Sequence, residues 1–133
     1  MSQNEILLQD DSFLISHTDA KGIIKFASND FCTIAGYDVT ELIGKPHSIV
    51  RHQDMPRAAF KDLWDTVKKG EIWSGFVKNS SKTGKFYWVY ATVYPYTDQD
   101  GSLGYISCRT KVASRDEIDK YAALYEKMRR EER

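Results

Sequence analysis

Cysteine is scarce in this 133-residue chain: Cys32 and Cys108 are the only two, far apart and in no metal-like spacing. With three histidines beside them, no four ligands stand at the intervals of a zinc site. A Gly-rich phosphate loop, a dinucleotide fingerprint and the pattern of a catalytic triad are also missing, so enzymatic catalysis has little support and no enzyme is expected. No run approaches the roughly 20 apolar residues of a membrane span. The start, Met1-Ser2-Gln3-Asn4-Glu5, lacks the basic-then-apolar order of a secretory signal. Both thiols therefore read as reduced, and the expected location is cytoplasmic. Charge of one sign is lacking too, since 19 Lys and Arg balance 19 Asp and Glu. That balance removes the electrostatic case for nucleic-acid or anionic-membrane binding.

Aromatic residues are abundant instead. Eight Tyr, six Phe and three Trp crowd toward the second half, notably in Phe86-Tyr87-Trp88-Val89-Tyr90 and Tyr94-Pro95-Tyr96. That is more aromatic area than the core of one small sheet needs. The length suits a single domain of about 100–200 residues, with one core and an enclosed pocket.

The chain opens with two short strands, Ser12–Ser16 and Ile23–Ala27, around the turn Asp19-Ala20-Lys21-Gly22. Periodicity then changes to three or four. Ser28 or Asn29 caps a short helix through Phe31, Ile34 and Ala35, and Gly36 closes it. Val39–Ile43 makes a further turn, ended by Gly44-Lys45-Pro46. A longer helix follows, with Asp54 as expected N-cap and Pro56 in its first turn. Ala59, Phe60, Leu63, Trp64 and Val67 fall on one face of it, and Gly70 stops it.

Three long strands, about 72–79, 85–96 and 103–112, are joined by the turns Ser80–Gly84 and Thr97–Gly101. Ser114-Arg115-Asp116-Glu117 then starts an exit helix whose Ile118, Tyr121, Tyr125 and Met128 form a heptad-like seam. Strands separated by a block of helices imply an α+β fold, with the helices on one face of an antiparallel sheet.

Within strand 85–96, Tyr87, Val89, Ala91 and Val93 point one way, while Phe86, Trp88, Tyr90 and Tyr94 point the other. The small face suits a pocket for a flat ligand; the aromatic face calls for a capping segment, a partner or a dimer. An aromatic core with no ligand stays open as the alternative. Trp73, Gly75, Val77 and Asn79 share one face of the preceding strand, as a ring-stacking wall, a close-approach point and an amide. Arg51-His52-Gln53-Asp54 is a polar cluster beside an apolar helix, able to hold a charged, hydrogen-bonding cofactor. Strand parity turns Cys108 toward the pocket, with the partner strand as its neighbour.

Asn29-Asp30-Phe31-Cys32-Thr33-Ile34-Ala35-Gly36-Tyr37, Glu41–Pro46, Gly70–Gly75, Tyr87-Trp88-Val89 and Gly104-Tyr105-Ile106, in this order, resemble a PAS domain over residues 10–113. The resemblance implies the PAS fold, a five-stranded antiparallel sheet with short helices and one longer helix on one face. Residues 1–9 then form an N-terminal cap or loose segment, and 114–133 a C-terminal signalling or linker helix.

Pro46-His47, Val50–Pro56, Ala58-Ala59-Phe60, Trp64, Lys68–Glu71 and Val77-Lys78-Asn79 resemble more narrowly the PAS domain of bacterial aerotaxis and energy-taxis receptors. That family binds FAD and reports its redox state to a chemoreceptor-type signalling domain. By position, the resemblance implies Arg51, His52, Asp54, Trp73 and Asn79 in FAD binding, with Phe60 a weaker addition. It also implies a chemoreceptor-type partner and admits a homodimer. Gln53 departs from the family's usual proline, and Ser28 stands where the family has Asn. The Asn-Cys-Arg-Phe motif of photoactive flavin domains is missing near His52–Met55, which excludes light-driven adduct formation. The rival expectations are a cofactor-free dimerisation module and a haem or small-metabolite sensor using His47 or His52.

Overall fold

The computed structural model describes residues 4–132, so the first three residues of the expected N-terminal cap and the last residue of the expected C-terminal helix lie outside the described residues. In chain order the elements are β1 (Leu14–Asp19), β2 (Ile24–Ala27), α1 (Asn29–Ala35), α2 (Val39–Leu42), a single 3-10 turn at His47–Val50, α3 (Arg57–Lys68), β3 (Trp73–Ser80), β4 (Phe86–Thr97), β5 (Leu103–Thr110) and α4 (Arg115–Glu131). The strands form one antiparallel sheet in the order β2-β1-β5-β4-β3. This is the five-stranded α+β architecture expected from the resemblance.

Local chemistry explains the boundaries. Asp19 ends β1 because its carboxylate accepts from the Lys21 and Ile23 amides at 2.9 and 3.0 Å, closing the turn over Gly22 at φ 84°. Ser28, not Asn29, caps α1: its hydroxyl accepts from Phe31 N at 3.4 Å and also from Ile15 N at 3.0 Å. The cap thereby ties α1 to the sheet. A reciprocal capping box joins Asp38 and Glu41 at the start of α2.

The start of α3 differs from the expectation. Pro56 is its N-cap, with no side-chain bond, and Asp54 is not a cap. The Asp54 carboxylate is drawn away instead to Lys78 Nζ, 2.7 Å distant on β3. An ion pair with the sheet outcompetes a local cap when the loop runs alongside the strand.

The core lies between the inner face of the sheet and the helices from α1 to α3, with Leu14, Phe31, Leu42, Val67, Tyr87 and Val89 fully buried. The outer face is covered by α4. Tyr125 stacks on Trp88 (ring centroids 6.2 Å, interplanar 15°) and donates to the Phe76 carbonyl at 2.6 Å, while Tyr121 lies 4.3 Å from the Phe76 ring. The heptad-like seam is therefore occupied by the chain's own sheet. Residues 4–8 run beside the start of β4, with bonds between Ile6 N and Phe86 O and between Phe86 N and Asn4 O.

Candidate functional site

A cleft opens between the inner face of the sheet and α3. Its floor is Val77, Ala91 and Val93, its wall is Phe60, Leu63 and Trp64, and its deep end carries Asn79, Ser107, His47 and Arg109. The cleft is partly open to solvent, with a cavity volume of about 90 Å³. The small floor follows from the inward parity of β4, where Ala91 and Val93 leave the sheet flat. The wall follows from one face of α3. A flat apolar slot with a polar end is the shape that takes a planar, edge-polar ring.

Arg109 dominates the electrostatics. It is 3 % exposed and no carboxylate pairs with it among the described residues. Its guanidinium donates to Ser16 Oγ at 3.0 Å, to His47 Nε2 at 2.5 Å and to the Leu14 carbonyl at 3.5 Å, and lies 4.9 Å over the Phe31 ring. Burial lowers its pKa to about 10, so it stays charged near neutrality. Burial, and then the Arg109 charge, lower His47 to about 3. The imidazole is therefore neutral, with Nε2 unprotonated and accepting from the guanidinium. An uncompensated buried ion costs several kcal/mol. A ring face and three neutral acceptors offset part of that, and an electron-rich ligand edge would offset the rest.

Beside this group, the Tyr87 hydroxyl is fully buried next to Asn79 and has no well-formed hydrogen bond among the described residues; burial pushes its pKa up to about 12. A buried hydroxyl without a partner costs about 1–3 kcal/mol. In the cleft itself, the Arg109 charge leaves the deep end short of acceptors.

The six residues singled out in the sequence divide. Arg51, Phe60 and Asn79 line the cleft. Arg51 sits at the mouth with its guanidinium 3.9 Å from the Phe60 ring centre, and its backbone bridges to Asn79. His52, Asp54 and Trp73 lie outside the cleft lining. His52 Nδ1 accepts from Asp54 N at 2.9 Å and its ring meets Phe86 edge-on. Met55 Sδ accepts from Lys78 N at 3.3 Å. The segment Arg51–Met55 thus runs along the free edge of β3 and covers it, which an edge strand requires. Trp73 donates to Asp62 on α3 at 2.9 Å and presses its indole on Gly75, where an added Cβ would come within 2.7 Å of the ring. The close approach that Gly75 permits is filled by Trp73.

Cys108 faces away from the cleft, beside Tyr94; Ser107 and Arg109 face it. The parity expected for Cys108 was off by one residue, because β5 pairs Arg109 opposite Ala91. Arg109 and Ser107 are site residues that the sequence reading missed, and His47, named there only as a possible ligand of a rival haem or small-metabolite sensor, joins them at the deep end. The alternation Tyr105, Ser107, Arg109 was the available signal.

The pattern of the PAS fold matches residues 24–110. The chain is 46 % identical over 125 residues to the Aerotaxis receptor of Escherichia coli (strain K12), covering 94 % of this chain and 24 % of that protein. It is 27 % identical over 97 residues to the Nitrogen fixation regulatory protein of Klebsiella pneumoniae, covering 73 % of this chain and 20 % of that one. It thus spans about a quarter or less of the length of these relatives. Among solved structures, the light-state Aureochrome1 LOV blue-light photoreceptor superposes with TM-score 0.69 at 25 % identity, covering 84 % of this chain and 87 % of that one. A Light-Oxygen-Voltage domain structure, from work in which a flavin analogue sheds light on that domain's mechanism, superposes with TM-score 0.66, also at 25 % identity, covering 91 % of this chain and 87 % of that one.

Proposed function

Since the chain belongs to the PAS fold family, we propose that it is a redox sensor whose cleft holds FAD and whose sheet relays the flavin's state to a chemotaxis-type signalling partner. The observation that carries this reading is the buried Arg109 guanidinium, without a carboxylate, at the end of a flat slot. An isoalloxazine ring matches that donor set: its faces are apolar, and its carbonyl and nitrogen edge accepts hydrogen bonds. Arg109 would hold the electron-rich edge, Asn79 an adjoining amide-like edge, and Trp64 and Phe60 the faces. Arg51 at the mouth would meet the phosphates, for which its fork of donors is suited. When bound, the flavin supplies a group that gains and loses electrons and so changes charge beside Arg109.

His52, Asp54 and Trp73 serve in this reading by position. His52 and Asp54 hold the Arg51 loop to the edge of β3, and Trp73 fixes α3 through Asp62. The haem alternative is disfavoured at both candidate histidines: the Nε2 lone pair of His47 is already taken by Arg109, and His52 lies outside the cleft lining. Residues 10–113 form the sensing unit, 1–9 its cap and 114–133 the output segment. Its working place is the cytoplasm, where the free thiols Cys32 and Cys108 persist. Among the described residues no helix is long and apolar enough to cross a membrane. The relatives named above are receptors and regulators, and no enzyme family is indicated.

The test is titration of flavin-stripped protein with FAD, FMN and riboflavin. Tight binding of FAD, weakened toward riboflavin and equalised by Arg51→Ala, supports the reading. Failure of all three to bind overturns it and favours a cofactor-free dimer, which sedimentation would detect.

A further inference from the structure

Two unrelated needs are met at the start of α3. Pro56 provides no side-chain cap, so the first amides of α3 lack a local acceptor. The acceptor comes from the far end of α4. Glu132 Oε2 accepts from Ala58 N at 2.7 Å and Oε1 from Arg57 N at 3.1 Å, while the Arg57 guanidinium donates to the Glu132 carbonyl at 2.9 Å. The Ala58 amide, then Arg57, hold the Glu132 carboxyl below the usual carboxylate range. Near it on α4, Arg129 donates to the Asp54 carbonyl.

These contacts fasten α4 to the two pieces that shape the cleft. The helix that Glu132 caps carries Phe60, Leu63 and Trp64, the wall of the slot. The carbonyl that Arg129 holds belongs to the edge loop whose other end is Arg51, at the mouth, backbone-bridged to Asn79. Midway along α4, Tyr121 and Tyr125 rest on β3 and β4 through Phe76 and Trp88. The last turns are therefore fixed by the clasp.

We propose that docking of α4 and occupancy of the cleft form one coupled equilibrium, joined by the Arg129–Asp54 and Glu132–α3 clasp. The proposal rests on the reading of the cleft as a ligand site. With the clasp closed, the first turn of α3 is capped and the wall is held for the ligand. With α4 released, that turn frays and the Arg51 loop loosens. Linkage makes the effect reciprocal: whatever factor the clasp adds to ligand affinity, the ligand adds to α4 docking. It also sets the signal: a redox change moves α4 docking only by the factor by which it changes the ratio of ligand affinities for the docked and released forms.

The experiment compares the whole chain with the double variant Arg129→Ala and Glu132→Gln. The control is Glu126→Gln, an exposed position on the same helix. Loss of a helix cap is expected to weaken FAD binding by about 2- to 30-fold in the double variant. Saturating FAD should slow hydrogen exchange of the α4 amides in the unaltered chain by a similar factor, and the control should match the unaltered chain. Unchanged FAD affinity in the double variant, with α4 exchange indifferent to FAD, overturns the coupling. Ligand-free exchange of residues 57–64 separates this outcome from failure of the flavin reading. If no chain binds FAD but the double variant exchanges faster there, the clasp holds the wall and the flavin reading alone falls. If exchange there is unaltered, the clasp itself is refuted.

Discussion

The two faces of the sheet are built from alternate residues of the same strands and meet opposite fates. Outside, Trp88 and Phe76 are covered by α4, and the buried hydroxyl there finds an acceptor, Tyr125 donating to the Phe76 carbonyl at 2.6 Å. Inside, Ala91 and Val93 leave a slot at whose end a buried guanidinium has no carboxylate partner among the described residues. One face is complete without a ligand, and the other is not. Polar groups left short inside a small domain are costly enough to mark where a ligand belongs.

The sharpest way to break the comparison is to fill the slot. Ala91→Leu extends a side chain from the floor into the cleft and should abolish FAD binding, a loss of more than about 100-fold, by titration of stripped protein. Folding should survive, since the extra atoms enter open space and not packed core.

Next in size is Arg109→Met, which removes the buried charge and keeps its bulk. FAD affinity should fall by about 10- to 100-fold, the value of a charged hydrogen bond. Thermal stability should hold or rise, because replacing an uncompensated buried charge with an apolar group is neutral or stabilising. A large drop in Tm would mean that Arg109 is structural.

On the outer face the dependence should be reversed. Tyr125→Phe keeps the stack on Trp88 and removes the bond to Phe76. Stability should fall by about 1 kcal/mol in chemical denaturation. The change in FAD affinity should be smaller than that from either inner-face variant.

Acid provides the gentlest discrimination. His47 is held to about 3 in the folded chain against an ordinary value of 6.5, so the unfolded chain binds more protons between those values. Stability contributed by this site is complete above about pH 6.5 and is lost as pH falls below it. Between pH 7 and pH 5.5 the loss from His47 is about 1 kcal/mol. His47→Gln should flatten that part of the slope, measured as denaturation midpoints against pH.

Much of this contrast was legible in the sequence, because it depends on period-two alternation. Tyr87, Val89, Ala91 and Val93 against Trp88 and Tyr90 separated the two faces, and the surplus of aromatics called for a cover that α4 supplies. Caps and glycines fixed the short helices. What escaped depends on partners distant in the chain. His47 and Arg109 are 62 positions apart, and Arg109 and Ser16 are 93 apart. Neither pairing leaves a local trace, and the register that turns Arg109 inward is set by β4 and β1. The cluster Arg51–Asp54 showed its polarity but not its division, since only the free edge of β3 decides which of its members face the cleft.

The most direct measurement is the absorption spectrum of the freshly purified chain, followed by chromatography of what heat releases. Flavin bands in the blue that bleach with dithionite, and FAD in the released fraction, are the predicted result. A colourless protein that stays colourless after incubation with FAD and dialysis would contradict the account.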